Sequence, residues 1–167
     1  HAAPAGAAVG AARDIVGANW REAEESAGGV GSAESAATIL EKLGQFFTTK
    51  TPLPLSEADF MRPREEAEER AAAAVRSALA NKEDELDTLR PGLAAEAERY
   101  LSLLQIDLLW KQHMKSMGFV RDFAGLRAYA QEDPLVVYQT EGLKLYDSMQ
   151  VAYRQNTAYS FFQYTAR

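Results

Sequence analysis

Apolar residues recur at helical spacing along most of the chain, and no segment has the pattern of a convincing strand. The longer helices predicted from this pattern are residues 12–27, a helix that follows Ser32 as its N-cap, residues 64–89, residues 93 to about 118, and a final helix that starts at Asp133–Pro134. Ser56 is expected to cap a short turn as well. The predicted fold class is therefore all-α.

Glycine and proline separate the predicted helices. Gly28–Gly31 ends the first helix, because glycine leaves a helix in a left-handed conformation at the lowest cost. Residues 48–55 must be extended, since the two prolines in this stretch remove backbone donors and disfavour helix before them. Pro91–Gly92 breaks the helix that starts at residue 64, and Gly118 and Gly125 are expected to bracket a turn-rich tip.

Two helical segments have unusual side chains. The helix predicted from Leu93 is apolar on nearly all faces, and such a helix is packed on two sides by protein. The chain begins with an alanine-rich stretch whose side chains are too small to form a core alone. We expect that stretch to be loosely held or draped on a partner.

Composition excludes several classes of function but says less about the fold. The 167 residues include no cysteine and carry a formal net charge of −6, so a disulfide framework, a thiol nucleophile and a cysteine-based zinc or iron–sulfur site are excluded. His1 and His113 are the only histidines, which leaves little material for a metal site or a catalytic triad. The acidic balance also argues against a dedicated nucleic-acid binder.

Charge and aromatic residues are unevenly distributed. Residues 1–97 carry a net charge of −7, and residues 98–167 carry +1 together with 12 of the 16 aromatic residues. Since aromatic side chains bury the most apolar area per residue, the denser core is expected in the second part. No apolar run is long enough to predict a transmembrane helix.

One motif is specific enough to indicate a family. The stretch from Leu103 to Gly142, LLQIDLLWKQHMKSMGFVRDFAGLRAYAQEDPLVVYQTEG, resembles the C-terminal region of SecA, the motor of the bacterial and plastid preprotein translocase. The matching positions follow the family pattern without a gap: Asp107, Trp110, His113, Met117, Arg121, Leu126, Arg127, Tyr129, Gln131, Asp133, Pro134, Tyr138, Glu141 and Gly142. A weaker resemblance extends upstream to about residue 35.

This resemblance implies a helical wing, an antiparallel two-helix finger and a long C-terminal scaffold helix. The corresponding boundaries are an Ala/Gly-rich N-terminal extension with one short helix over residues 1–31, a wing-like region over 32–92, and the SecA-like finger and scaffold helix over 93–167. The sequence has no G-x-x-x-x-G-K-[ST] loop to cradle phosphates. We therefore expect no enzyme activity from this chain, and no nucleotide, cofactor or metal.

The resemblance also implies a partner-binding fingertip, where a bulky residue touches the polypeptide in the channel and the channel's cytosolic loops. The residues at that position are Met117, Gly118, Phe119, Arg121, Phe123 and Arg127. Phe119 is either an exposed apolar anchor or folded back on Phe123. Arg121 and Arg127 are expected to pair with acidic partner loops or lipid headgroups, or with Asp122 and Asp133. Gly118 and Phe123–Ala124 depart from the family pattern, which affects preprotein handling more than helix–turn–helix shape.

Two further residue sets have alternative interpretations. Asp107, Trp110 and His113 lie near one helical face, which allows an acid–base site, but the structural alternative of a satisfied buried His and a packed Trp is favoured. Tyr129, Asp133, Pro134, Tyr138 and Glu141 are assigned to the same structural motif. At the C-terminus, Phe161, Phe162 and Tyr164 are too dense for one amphipathic stripe and are expected to face a partner.

The favoured function is a non-catalytic protein-interaction module that acts at a membrane protein translocation or insertion site. The alternative is a structural or assembly subunit of a large plastid thylakoid complex, such as a photosystem, that reuses this fold. A third hypothesis is a piece of a full SecA, coupling its motor to the channel. Expected partners are subunits of a membrane complex, with peripheral membrane contact. The expected location is the plastid stroma beside the thylakoid membrane, or alternatively bacterial cytoplasm.

Overall fold

The computed structural model describes residues 3–25, 33–127 and 133–165, and these ranges contain six helices and no strand. The helices are α1 (Ala3–Glu25), α2 (Ala33–Phe46), α3 (Glu57–Phe60), α4 (Arg64–Leu89), α5 (Leu93–Arg127) and α6 (Pro134–Gln163). The predicted all-α fold class is confirmed. The predicted cap at Ser32 and the glycines at 28–31 lie outside the described residues.

Several helix ends lie where local sequence places them. α4 has the predicted bounds, and Gly92 after it adopts a positive φ of 82°, a conformation that suits glycine. Before α3, the backbone N–H and the hydroxyl of Ser56 both donate to Asp59 Oδ2 at 3.0 Å. Asp133 Oδ1 accepts the backbone N–H of Leu135 at 2.9 Å, so Asp133 caps the start of α6.

The expectation for the alanine-rich start is wrong. α1 begins at Ala3, and its small side chains lie in the same core as a row of alanines on α4. The buried alanines are Ala8, Ala11 and Ala12 on α1, and Ala67, Ala71 and Ala78 on α4. Small residues let two helices approach closely: a Cβ added at Gly17 would lie 2.9 Å from Arg64 Nη2. The stretch is therefore held by close packing of its small side chains against the alanines of α4.

The expected tip between Gly118 and Gly125 is also wrong, because α5 continues through both glycines to Arg127. An internal glycine costs a helix only about 1 kcal/mol relative to alanine. Packing offsets this cost, since Ala124 is buried and a Cβ added at Gly142 on α6 would lie 2.9 Å from Met117 Cε. The chain leaves α5 only after Arg127.

The structure divides into two compact units, His1–Ser102 with Arg154–Arg167, and Leu103–Tyr153. The core of the first unit contains Val16, Trp20, Ile39, Leu43, Phe47, Phe60, Val75, Leu79, Leu86, Leu101, Phe161 and Phe162.

The C-terminal aromatic residues belong to that core. Phe161 and Phe162 are almost fully buried, and Tyr164 is partly buried against the same cluster. The Phe162 ring meets Phe47 edge to face, with 5.3 Å between ring centroids. The expectation that Phe161 and Phe162 face a partner is corrected, because both side chains are buried in the core of the first unit. Tyr164 is only partly buried and stays a predicted interface residue.

Candidate protein-interaction surface on the two-helix hairpin

The unit of residues 103–153 is an antiparallel helical hairpin. His113 of α5 lies beside Tyr146 of α6, with 6.1 Å between ring centroids, and Met117 lies against Gly142. Four residues forward along α5 thus correspond to four residues backward along α6. This register confirms the antiparallel two-helix arrangement that the family resemblance implies.

A narrow seam holds the hairpin together. Leu109, His113 and Ala124 recur at helical spacing on α5 and are buried, as is Met149 on α6. Met117, expected at the partner-binding fingertip, instead packs against Gly142 inside the hairpin. The seam residues therefore hold the hairpin together, and they occupy only one face of α5.

The structure favours the structural interpretation of the Asp107, Trp110 and His113 set. His113 is buried, with its ring 5.6 Å from the Trp110 ring by centroids. Asp107 is exposed and accepts a hydrogen bond from Lys111 Nζ at 2.6 Å, one helical turn later. Trp110 differs from expectation, because 47% of it is exposed. These contacts link His113 to aromatic rings and Asp107 to a lysine, with no acid–base pair between them.

Exposed apolar residues follow one face of α5. Leu104, Leu108, Phe119, Phe123 and Leu126 are separated by four, eleven, four and three residues, which are same-face spacings in a helix. We call these five residues the finger stripe. Phe119 is 66% exposed and Leu126 is 68% exposed. Leu104 and Leu108 form one exposed pair and Phe119, Phe123 and Leu126 one exposed cluster, and exposed apolar clusters are typical of interaction sites.

The hairpin exposes further apolar residues outside the stripe. They are Leu103, Trp110 and Met114 on α5, and Leu135, Val136 and Leu143 on α6. The sequence predicted that α5 is packed on two sides by protein, and within the described hairpin the seam covers one of them. The other side presents leucine and phenylalanine to solvent.

Charged residues lie next to the stripe. Arg121 donates two hydrogen bonds to Asp122 Oδ1 at 3.3 Å, and both side chains are largely exposed, so this pair adds little stability. The Arg127 guanidinium lies 5.0 Å from the centroid of the Phe123 ring. Phe123 therefore packs under a cation, and Phe119 remains the most exposed aromatic ring of the stripe.

The remaining motif residues lie at the start of α6. Asp133 caps the helix and Pro134 is its first residue, where a missing N–H costs nothing. Tyr138 is partly exposed, and Glu141 accepts a hydrogen bond from Lys144 Nζ at 2.7 Å. Tyr129 lies outside the described residues.

Several residues of the surface were not among the predicted site residues. Leu104, Leu108 and Leu126 were missed, although their spacing with Phe119 is visible in the sequence. The signal that would have found them is the apolar character of α5 on all faces. Whichever face of such a helix packs against α6, some leucines on the other faces stay exposed. The sequence alone does not say which face that is.

The described residues contain neither a metal-binding group nor a membrane-spanning helix. No group of three or more histidine, aspartate and glutamate side chains in these ranges is arranged to hold a metal ion. None of the described helices combines the length and the apolar character needed to cross a bilayer.

Together, the hairpin and its exposed apolar stripe define an all-helical domain with a candidate interaction surface. The family model described as the SecA Wing and Scaffold domain matches residues 9–165, and the chain belongs to this family. The match begins within α1 and includes both compact units.

Individual relatives support the same assignment. The chain is 48% identical over 90 residues to protein translocase subunit SecA of Thermosynechococcus vestitus, and 49% identical over the same length to that of Cyanothece sp.. The SecA subunit of Synechocystis sp. is 48% identical over 90 residues. Each alignment covers 54% of this chain and 10% of the relative, so the matched region spans about a tenth of those proteins. No solved structure matches the chain.

Proposed function

We propose that this chain acts as a non-motor SecA-type module at a protein translocation site, and that its two-helix hairpin uses the finger stripe to contact another protein. The observation that carries the proposal is the row of exposed apolar residues ending in Phe119, Phe123 and Leu126. Exposed aromatic and aliphatic side chains of this kind become the buried centre of an interface when a partner binds.

Family membership supplies the context of the contact. The relatives are named as protein translocase subunits, which supports an unfolded polypeptide or a channel loop as the partner. Both expose apolar side chains that an apolar stripe binds without sequence specificity. Peripheral contact with a membrane complex follows from such a location, in the plastid stroma or in bacterial cytoplasm. The comparisons give no support to the photosystem alternative.

The test is binding of the purified chain to vesicles that carry the reconstituted translocation channel and a preprotein. Phe119→Asp and Leu126→Asp should each weaken binding by about tenfold or more, because they place a charge in the contact centre. Tyr100→Asp and Leu89→Asp are matched controls, since both residues are exposed and lie outside the hairpin unit. Equal loss for all four variants would contradict the proposal.

A further inference from the structure

A groove in the larger unit is separate from the finger stripe. The extended segment Thr48–Pro54 forms one wall, and Ala78, Lys82 and Glu85 of α4 lie on the other. The groove has a volume of about 580 Å³, which is within the usual range for ligand sites, and Phe162 near the end of α6 also lines it.

The extended wall is fixed at several points. Thr49 Oγ1 donates to the carbonyl of Thr51 at 2.5 Å, and Gln163 Nε2 donates to Thr48 Oγ1 at 2.8 Å. Pro52 and Pro54 lock φ and keep the segment extended. The wall is therefore kept extended by its two prolines, by the Thr49 hydrogen bond and by the hydrogen bond from Gln163 of α6. The groove is thus formed before a ligand binds.

The groove combines an apolar base with a local excess of positive charge. Ala78 and Phe162 are buried apolar residues of the lining, and such residues suit contact with an aliphatic side chain. Among the charged residues that line it, Lys50 and Lys82 outnumber Glu85, although the chain carries a net charge of −6. Lys50 Nζ lies 2.7 Å from Glu85 Oε1, and this hydrogen bond lowers the pKa of the Glu85 carboxyl.

We propose that this groove binds an extended acidic peptide segment of a partner protein. An aliphatic side chain of the peptide lies over Ala78 and Phe162, and a neighbouring carboxylate pairs with Lys50 and Lys82. Charge complementarity decides the occupant: two lysines and one glutamate line the groove, so an acidic peptide gains more ion pairs there than a basic or a neutral peptide. The proposal does not depend on the finger stripe, which lies in the other unit.

The experiment titrates the full chain against fluorescein-labelled Gly-Leu-Asp-Leu-Asp-Gly and follows fluorescence anisotropy. The same peptide with asparagine in place of aspartate should bind about fivefold more weakly or worse, and added salt should reduce the difference. Lys50→Gln and Lys82→Gln should each weaken binding of the acidic peptide by about fivefold. Lys115→Gln, in the other unit, is the matched control and should leave it unchanged.

Three results would overturn the proposal. They are no saturable binding of the acidic peptide, equal binding of the acidic and asparagine peptides, or loss of affinity in Lys115→Gln to the same degree as in Lys82→Gln. Amide chemical shifts provide a second readout, because the acidic peptide should perturb residues 48–55 and 78–85. Perturbations confined to residues 103–153 would assign the peptide to the hairpin and contradict the groove.

Discussion

The side chain of Arg154 lies so close to Gly10 that a Cβ at Gly10 would stand 2.6 Å from Arg154 Cδ. One turn along α1, Asp14 accepts hydrogen bonds from the same guanidinium, at 3.0 Å from Nε and 3.3 Å from Nη2. The Arg154 side chain thus packs in the space left by Gly10 and is hydrogen-bonded to the Asp14 carboxylate. These contacts join the alanine-rich first helix to the last part of α6.

Gly10→Ala should lower the free energy of unfolding by about 1 kcal/mol, although alanine is the better helix former. The added methyl group displaces the aliphatic part of Arg154 and breaks its pair with Asp14. In an Arg154→Ala background the same substitution should raise the free energy of unfolding by about 1 kcal/mol, because only the helix propensity remains. Urea denaturation measures both.

Gly6→Ala is the matched control for this cycle. A Cβ at Gly6 would have no atom within 4 Å, so the substitution should stabilise both backgrounds by up to about 1 kcal/mol. If Gly10→Ala stabilised the unsubstituted chain as much as Gly6→Ala, the close contact with Arg154 would be refuted.

Neighbouring leucines on α5 should differ in their effect on hairpin stability. Leu109 lies in the buried seam, so Leu109→Ala should cost about 2–4 kcal/mol. Leu108 is exposed, and Leu108→Ala should change stability by less than about 0.5 kcal/mol. Trp20 and Trp110 are the only tryptophans, so fluorescence of a Trp20→Phe chain follows the hairpin through Trp110. Similar costs for both leucines would contradict the assignment of the seam.

Stability should depend on pH through Glu98. Burial, followed by the nearby Glu83 and Asp87 carboxylates, raises the pKa of Glu98 from 4.5 to about 7. The folded state therefore holds a proton that the unfolded state releases, and the stabilisation is complete below pH 4.5 and is lost as the pH rises through about 7. Glu98→Gln should be more stable than the unsubstituted chain by about 1 kcal/mol at about pH 8, after allowance for solvent screening.

The unfolding free energies of Glu98→Gln and of the unsubstituted chain are measured against pH. The difference between these two curves gives the contribution of Glu98 without that of the other carboxylates. It should be small in acid and should grow through the window that ends near pH 7. A difference that stayed constant across that window would rule out a raised pKa at Glu98.

A buried hydroxyl on α6 provides a stabilising substitution. Thr157 Oγ1 is buried and has no hydrogen-bond partner in the described residues. Thr157→Val replaces the hydroxyl with a methyl group of similar size and should raise the free energy of unfolding by about 1 kcal/mol. Thr157→Ser keeps the hydroxyl and removes the methyl group, so it should lower stability. Destabilisation by valine would show that the hydroxyl has a partner, such as a bound water.

The sequence predicts helix ends where the determinant is local. The bounds of α4 followed from Pro63 and from Pro91–Gly92, which act on their own backbone. The continuation of α5 through Gly118 and Gly125 was not predictable in this way, because it depends on the seam with α6. Burial of the alanine-rich start likewise requires the alanines of α4, more than fifty positions further along the chain.

The candidate site shows the same division. The family motif identified the hairpin, and the matched positions Met117, Arg121 and Leu126 on either side place Phe119 and Phe123 within it. Which residues face outward depends on helix rotation, so Met117 was assigned to the partner surface and is found against Gly142. Phe161 and Phe162 were assigned outward because of their density, but both are buried in the core, where the Phe162 ring packs against Phe47.

Site-specific photocrosslinking from the finger stripe is the most direct test of its role at a translocation site. A photoreactive phenylalanine analogue replaces Phe119, and in separate chains Tyr100 or Leu89, in the presence of channel vesicles and a stalled preprotein. All three positions are exposed, so a non-specific reagent would react from each. A role of the finger stripe at a translocation site predicts adducts with the preprotein or a channel loop from position 119 and none from the two controls. Equal adducts from all three positions, or none from position 119, would contradict it.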